Sequence, residues 1–259
     1  MKLTQRLPIL ALVTAAGALL FGSGCSSSTT PPTTPSQVTY TSGSSYTYLQ
    51  ESLDTTNGTY GYDQPDPATK DTITTTVLVA DTALYGKTNA TVLVNKHSNG
   101  SSNDTSYIAQ ESGNYWHYNY GFEALNSNQA VIGVLKNPIE AGWVLQGKFT
   151  AAPGTTWQAV DTSISVPYNG LSIPVSITDT ATEQGDTTIT IKGKFMTAKH
   201  ALHIVTMNAL GGTIATMPID TYITTDEGVI LNVVHSFRVQ ATGIVNAQVR
   251  GQSTAMTSF

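Results

Sequence analysis

The sequence predicts an all-β chain: an antiparallel meander forming a half-barrel, barrel or sandwich, set behind a disordered tether. Three observations carry that prediction. Beyond residue 45 the chain is a succession of short Thr-, Val- and Ile-rich stretches, the β-branched residues that fit a pleated, half-buried surface. Those stretches alternate apolar with polar residues at a period of two. Gly, Asn, Asp and Pro punctuate them where turns are needed.

The elements follow in order. Ile73, Val77 and Val79 share one parity while Thr72, Thr74 and Thr76 take the other. Thr91 to Lys96, Ser106 to Glu111, Tyr115 to Phe122, Ala130 to Lys136, Val144 to Phe149 and Trp157 to Val166 read as further strands. Leu171, Ile173, Val175 and Ile177 alternate with Ser172, Pro174, Ser176 and Thr178, and Ile189 and Ile191 continue the pattern. Leu202 to Asn208 is strand-like, whereas Thr197 to Ala201 reads as the start of a short helix. The longest alternation sets Val229, Leu231, Val233, His235, Phe237 and Val239 against the residues between them. Asn57-Gly58, Asn99-Gly100, Asn169-Gly170, Gln184-Gly185-Asp186 and Gly211-Gly212 supply turns, and short turns imply antiparallel neighbours. No second linker interrupts residues 46–259, which predicts one domain there.

Composition narrows the function. Only 11% of the 259 residues are charged and the formal net charge is −5, which does not suit a basic nucleic-acid binder or a coiled coil. With one cysteine, neither an intramolecular disulfide framework nor a zinc site of several thiolates can form.

The N-terminus has the order of a signal peptide: Lys2 and Arg6, then an almost wholly apolar run from Leu7 to Phe21. That run is about 15 residues, short of the ~20 a membrane-spanning helix needs. Gly22-Ser23-Gly24-Cys25 follows, and then a Ser/Thr/Pro-rich stretch too poor in apolar residues to offset the entropy of ordering. The expected division is therefore a signal over 1–24, a tether over 25–45 and the β domain over 46–259. Gly22-Ser23-Gly24-Cys25 resembles the lipobox of bacterial lipoproteins. The resemblance implies cleavage before Cys25, a diacylglycerol on its thiol and an acylated amine, hence a membrane partner. It departs from the common pattern in having Gly22, not Leu, three places before the cysteine. Small residues at Gly22 and Gly24 also fit ordinary secretory cleavage, whose product would be a soluble secreted protein. Ser26 after the cysteine points, by the same resemblance, to the outer membrane. Losing Lys2 and Arg6 makes the mature chain more acidic still, a poor match to nucleic acid or anionic headgroups.

No nucleophile elbow, phosphate loop, zincin motif or EF-hand loop occurs, and no cofactor is implied. Asp63, Asp66 and Asp71 lack the close ladder of a calcium loop and read as a solvated acidic turn. His200 and His203 fall on opposite faces of a strand and do not suggest a metal site, while His235 reads as a hydrogen-bonded core histidine. The candidate ligand-binding residues are Trp116, Tyr118, Tyr120 and Phe122, which a continuous strand would project from one face, with Tyr115, His117 and Asn119 on the other. Such a row stacks on sugars, lines an apolar pocket, or simply packs a sheet. Trp143 and Trp157 stand at the start of neighbouring strands and could join it.

Pro153-Gly154-Thr155-Thr156-Trp157, the strand around Leu171 to Ile177, Gly193 to His200, and Tyr222 to Ile230 together resemble a diffuse group of bacterial lipoproteins with a β-meander. The likeness covers Pro153 to Val239. Asp226-Glu227 stands where that group often has Pro. Some of its members are similar to half-open barrels that carry lipid or lipoprotein cargo. The expected function is thus a membrane-anchored, non-enzymatic envelope protein holding an apolar ligand or partner in a curved sheet. A surface carbohydrate-binding or adhesive module is the alternative. A hydrolase would need acids such as Asp161, Asp220, Asp226 or Glu227 gathered in space.

Overall fold

The computed structural model describes residues 38–53, 65–120, 140–168, 171–191, 194–225, 227–235, 237–241, 245–249 and 252–257. Among them every regular element is a strand: β1 (Ser45–Leu53), β2 (Pro65–Leu84), β3 (Lys87–His97), β4 (Asp104–Glu111), β5 (Asn114–Tyr118), β6 (Trp143–Lys148), β7 (Thr156–Tyr168), β8 (Leu171–Ile191), β9 (Lys194–Ala209), β10 (Gly212–Thr224), β11 (Gly228–Val234), β12 (Phe237–Ala241), β13 (Val245–Val249) and β14 (Gln252–Thr257). The strands form one sheet in the order β6-β5-β4-β3-β2-β1-β14-β11-β10-β9-β8-β7, and β12 and β13 pair beside β10. All pairings are antiparallel. The all-β class and the meander hold, and the sheet curls as a half-barrel.

Curling brings the two ends of the sheet around shared apolar interiors. Val144 and Leu145 of β6 pack with Val175 and Ile177 of β8, Val205 and Met207 of β9, and Met217 and Ile219 of β10. A second cluster joins Val77, Leu93, Ile108 and Tyr115 to Phe149 and Ile223. Packing begins inside the stretch that composition assigns to the tether. Val38 and Tyr40 are buried in the second cluster, and the Gln110 amide grips Val38 from both sides, accepting from its N–H at 2.7 Å and donating to its carbonyl at 2.8 Å. Two apolar residues were enough to dock a segment whose neighbours are all Ser, Thr and Gln.

The end strand β6 shows how the curl is fixed. Gln146 has no cross-strand partner, because Tyr115 pairs Gly147 and Trp116 pairs Leu145. Carbonyls of β6 are met by side chains from the far end of the sheet: the Trp157 indole N–H donates to Leu145 O at 2.9 Å, and His203 Nε2 donates to Gln146 O at 2.8 Å. End strands otherwise present unpaired backbone groups.

Two sequence expectations give way here. Gln184-Gly185-Asp186 is not a turn, since β8 runs through it. Gly185, at φ +106°, instead makes a bulge, and the register with β9 slips between Glu183 and Gly185. A one-residue slip exchanges the faces of a strand. Strand β9 itself is regular there, in unbroken register with β10, and buries one face at each end: Met196 and Ala198 against Tyr222 and Ile230, then Ala201, His203, Val205 and Met207 on the opposite face in the main core. Thr197 to Ala201 is accordingly strand, not helix: its apparent helical spacing is the trace of that change of face. Asn99-Gly100 and Gly211-Gly212 lie at the turns expected of them. Asn57-Gly58, Asn169-Gly170 and the strand expected at Ala130 to Lys136 lie outside the described residues.

Candidate functional site

The expected aromatic row is split by the backbone. Strand β5 ends at Tyr118, and Asn119 adopts φ +57°, its side-chain oxygen accepting from the N–H groups of Ala141 and Gly142 at 2.7 and 2.9 Å. The turn carries Tyr120 into the main core, where it is buried and stacks on His117. Tyr120 is therefore not on the face of Trp116 and Tyr118, and its hydroxyl is bonded to Thr221 and Asn232. Phe122 and Cys25 lie outside the described residues.

A different aromatic group takes the place of that row. Ladder pairing sets Ile108 opposite His117 and His117 opposite Val144, so the residues one step along, Tyr107, Tyr118 and Trp143, form a row across β4, β5 and β6 on the other face. Tyr107 and Tyr118 meet edge to face at 5.9 Å, Tyr118 and Trp143 at 5.3 Å. Tyr85 completes the set from the β2–β3 turn, stacked on Tyr118 at 4.7 Å and edge-on to Tyr107 at 5.6 Å. Three register shifts between Val77 and Leu84 bend this hairpin over the face, and Trp143 Nε1 donates to Tyr85 O at 3.0 Å. Each such ring pair contributes about 0.5–1.5 kcal/mol beyond burial. That sum offsets the backbone cost of Tyr85, which sits at φ +46° where Asn or Gly is the usual choice and an L-residue loses about 1–2 kcal/mol. Tyr85 remains 56% exposed. Further along the same face Lys87 Nζ lies 3.6 Å above the centre of the Trp116 ring and 3.1 Å from Glu111 Oε2. Sequence reasoning found Trp116 and Tyr118. It missed Tyr85 and Tyr107, although Tyr85-Gly86 between two alternating runs carries the signal of a hairpin turn.

The histidines do different work. His203 is wholly buried, with Nδ1 2.8 Å from Asp179 Oδ2 and Nε2 on Gln146 O. His200 and His235 clasp one carboxylate, each Nε2 lying 2.6 Å from an oxygen of Asp220. Burial opposes ionisation of Asp220, but the bonds from His200 and His235 outweigh it and hold its carboxyl well below the ordinary range. His235 leaves the apolar parity of its run because β11 stops at Val234, and its N–H bonds Pro218 O. Asp71 is no solvated turn: it is buried, bonds His97 at 2.5 Å and accepts from the backbone of Ser98 and Asn99. Asp63 lies outside the described residues. Among the described residues no group of three His, Cys, Asp or Glu is placed to hold a metal ion. Of the acids a hydrolase would need to gather, Asp220 is tied to its histidines, Glu227 to Lys194 at 3.0 Å, and Asp161 stands exposed on β7.

No protein-family model matches the chain, and no curated protein does. Among solved structures, a protein from Bacteroides fragilis described as exported, with a YmcC-like fold, superposes at a TM-score of 0.49 with 8% identity, over 85% of this chain and 96% of that one.

His117, on the opposite face, gives the fold a pH signature. Its Nε2 is shut off from solvent with no hydrogen-bond partner, and burial pushes its imidazole down to about 4, outweighing the upward pull of Asp104. Between about pH 6.5 and pH 4 the unfolded chain takes up a proton that the folded chain refuses, so stability falls on acidification, by about 3 kcal/mol in full. His97 acts in the opposite sense: burial lowers its affinity for a proton, but the bonds to Asp71 and Asp104 prevail and raise it. His117→Phe should therefore flatten the acid limb of Tm against pH, and a limb that keeps its slope would show the loss to arise elsewhere.

Proposed function

We propose that the chain is a lipid-anchored protein of the bacterial cell envelope that acts by binding, not catalysis, and that its ligand is a carbohydrate stacked on the aromatic face of β4–β6. The anchor reading rests on the order of parts in the first 36 residues: basic start, apolar run, Gly22-Ser23-Gly24-Cys25 and a Ser/Thr/Pro stretch. One observation carries the ligand reading, the row Tyr107, Tyr118 and Trp143 with Tyr85 stacked upon it and over half exposed. Rings with a polar handle suit the C–H faces and hydroxyls of a sugar. The geometry favours this over the apolar ligand expected inside the curl, because that side is filled by Ile177, Met217 and Ile219, each 1% exposed or less. Ring separations of 4.7–5.9 Å are direct contacts, so the four rings leave no central box for a trimethylammonium group, and Tyr107, Tyr118 and Trp143 form the platform.

A glycan panel tests the reading. The full chain should bind at least one polysaccharide class, and Tyr118→Ala or Trp143→Ala should weaken that binding at least tenfold while leaving the far-UV spectrum unchanged. Binding that ignores both substitutions would remove the aromatic face from the function.

A further inference from the structure

We infer that the β2–β3 tip is a displaceable cover and that the face beneath it takes a cationic glycan, one whose sugar ring replaces Tyr85 and whose ammonium replaces Lys87. This deepens the carbohydrate reading above and rests on it. Four observations support the inference. First, the tip holds its place by side-chain contacts to the face. Tyr85 lies on Tyr118, its carbonyl takes the Trp143 N–H, Lys87 covers Trp116, and Thr88 reaches Glu111 through its N–H at 3.2 Å. Behind the tip, register slips and positive φ angles at Asp81 and Tyr85 break the regular ladder that would otherwise hold it. Second, the Trp116 indole N–H is buried with no hydrogen-bond partner. An orphaned buried donor is destabilising, and a ligand hydroxyl arriving in place of the tip would satisfy it.

Third, the contacts made by the tip define two adjoining chemistries. Trp116 and Glu111 form a ring and a carboxylate around an ammonium, while Tyr107, Tyr118 and Trp143 form a ring-stacking surface. Trp116 and Tyr118 are two residues apart on β5, about 7 Å along a strand. A ligand spanning both therefore carries a ring and a positive charge close together. Fourth, the charge is complementary. Glu111 is the carboxylate that holds the Lys87 ammonium at 3.1 Å, and the chain as a whole is acidic. With Lys87 withdrawn, Glu111 is left beside Trp116 as an anion that another cation can meet.

The test uses the full chain in detergent, a short glucosamine oligosaccharide and its N-acetylated, uncharged counterpart, read by tryptophan fluorescence. Glucosamine oligomers should bind the unaltered chain weakly, since only the fraction with the tip displaced is competent. Lys87→Met should tighten that binding roughly tenfold, the size expected when a competing cation–π contact and ion pair are lost. Trp116→Leu should abolish it, and raised salt should weaken it. Tyr85→Ser, which also frees the face, guards against a folding defect in any one variant. Equal binding of the charged and uncharged oligomers would overturn the cationic ligand and leave the aromatic-face reading standing. Weaker binding by both Lys87→Met and Tyr85→Ser would overturn the cover. Silence from both oligomers in every variant, with Tyr118→Ala also without effect on the glycan panel, would overturn both readings.

Discussion

His203→Ala is expected to lower stability by about 3–5 kcal/mol, the cost of leaving one member of a buried hydrogen-bonded pair without the other. Both imidazole nitrogens are engaged, Nδ1 with Asp179 Oδ2 on one side and Nε2 with Gln146 O on the other. His203 and Asp179 are both fully shielded from solvent. Removing the ring strands the buried Asp179 carboxyl, whose Oδ1 already has no partner, and frees a carbonyl that helps hold the end strand β6 against the far side of the sheet. For a domain of this size the loss is a fall in Tm on the order of 10 °C. Replacing both members, His203→Leu with Asp179→Val, should recover much of it, because an apolar pair of similar volume leaves no unsatisfied polar group behind. A thermal melt of His203→Ala within 1 °C of the unaltered chain would show that β6 is held by apolar packing alone.

That closure also marks the boundary of what the sequence discloses. Strand chemistry was legible because it is local: alternation at Leu171 to Ile177 and Leu202 to Asn208 needs no knowledge of partners, and both runs are strands. The pairing of His203 with Asp179 joins residues 24 apart, and that with Gln146 O residues 57 apart, so no local pattern could reveal either. Face was legible only where register is unbroken. The bulge at Gly185 and the positive φ of Asn119 each change which side a residue occupies, and the second turned Tyr120 from a candidate ligand contact into a core residue. The aromatic face was half legible for the same reason. Trp116 and Tyr118 are neighbours on one strand, whereas Tyr107 and Trp143 join them only through ladder register, and Tyr85 only through a bent hairpin.

Cys25→Ser is expected to move the protein from the membrane fraction to the soluble extracytoplasmic fraction, the largest change in behaviour any single substitution should produce. The thiol is the only group in the chain able to form the thioether of a lipid anchor, because Cys25 is the one cysteine. Each buried methylene contributes about 0.8 kcal/mol, so one chain holds a protein only marginally and two or more hold it firmly. Serine keeps the size and polarity of the position and removes only the sulfur chemistry, so loss of the anchor cannot be blamed on the fold. The anchor would also set the reach of the binding face. Twelve residues separate Cys25 from Val38, where the Gln110 clamp begins, and the thirteen steps between the two can reach at most roughly 45 Å. Detergent phase partitioning and the intact mass of the mature N-terminus decide the matter together. A mature chain that begins at Cys25 without added lipid mass, or a Cys25→Ser protein that still partitions with detergent, would replace the anchor with ordinary secretion or with a membrane contact made by the β domain itself.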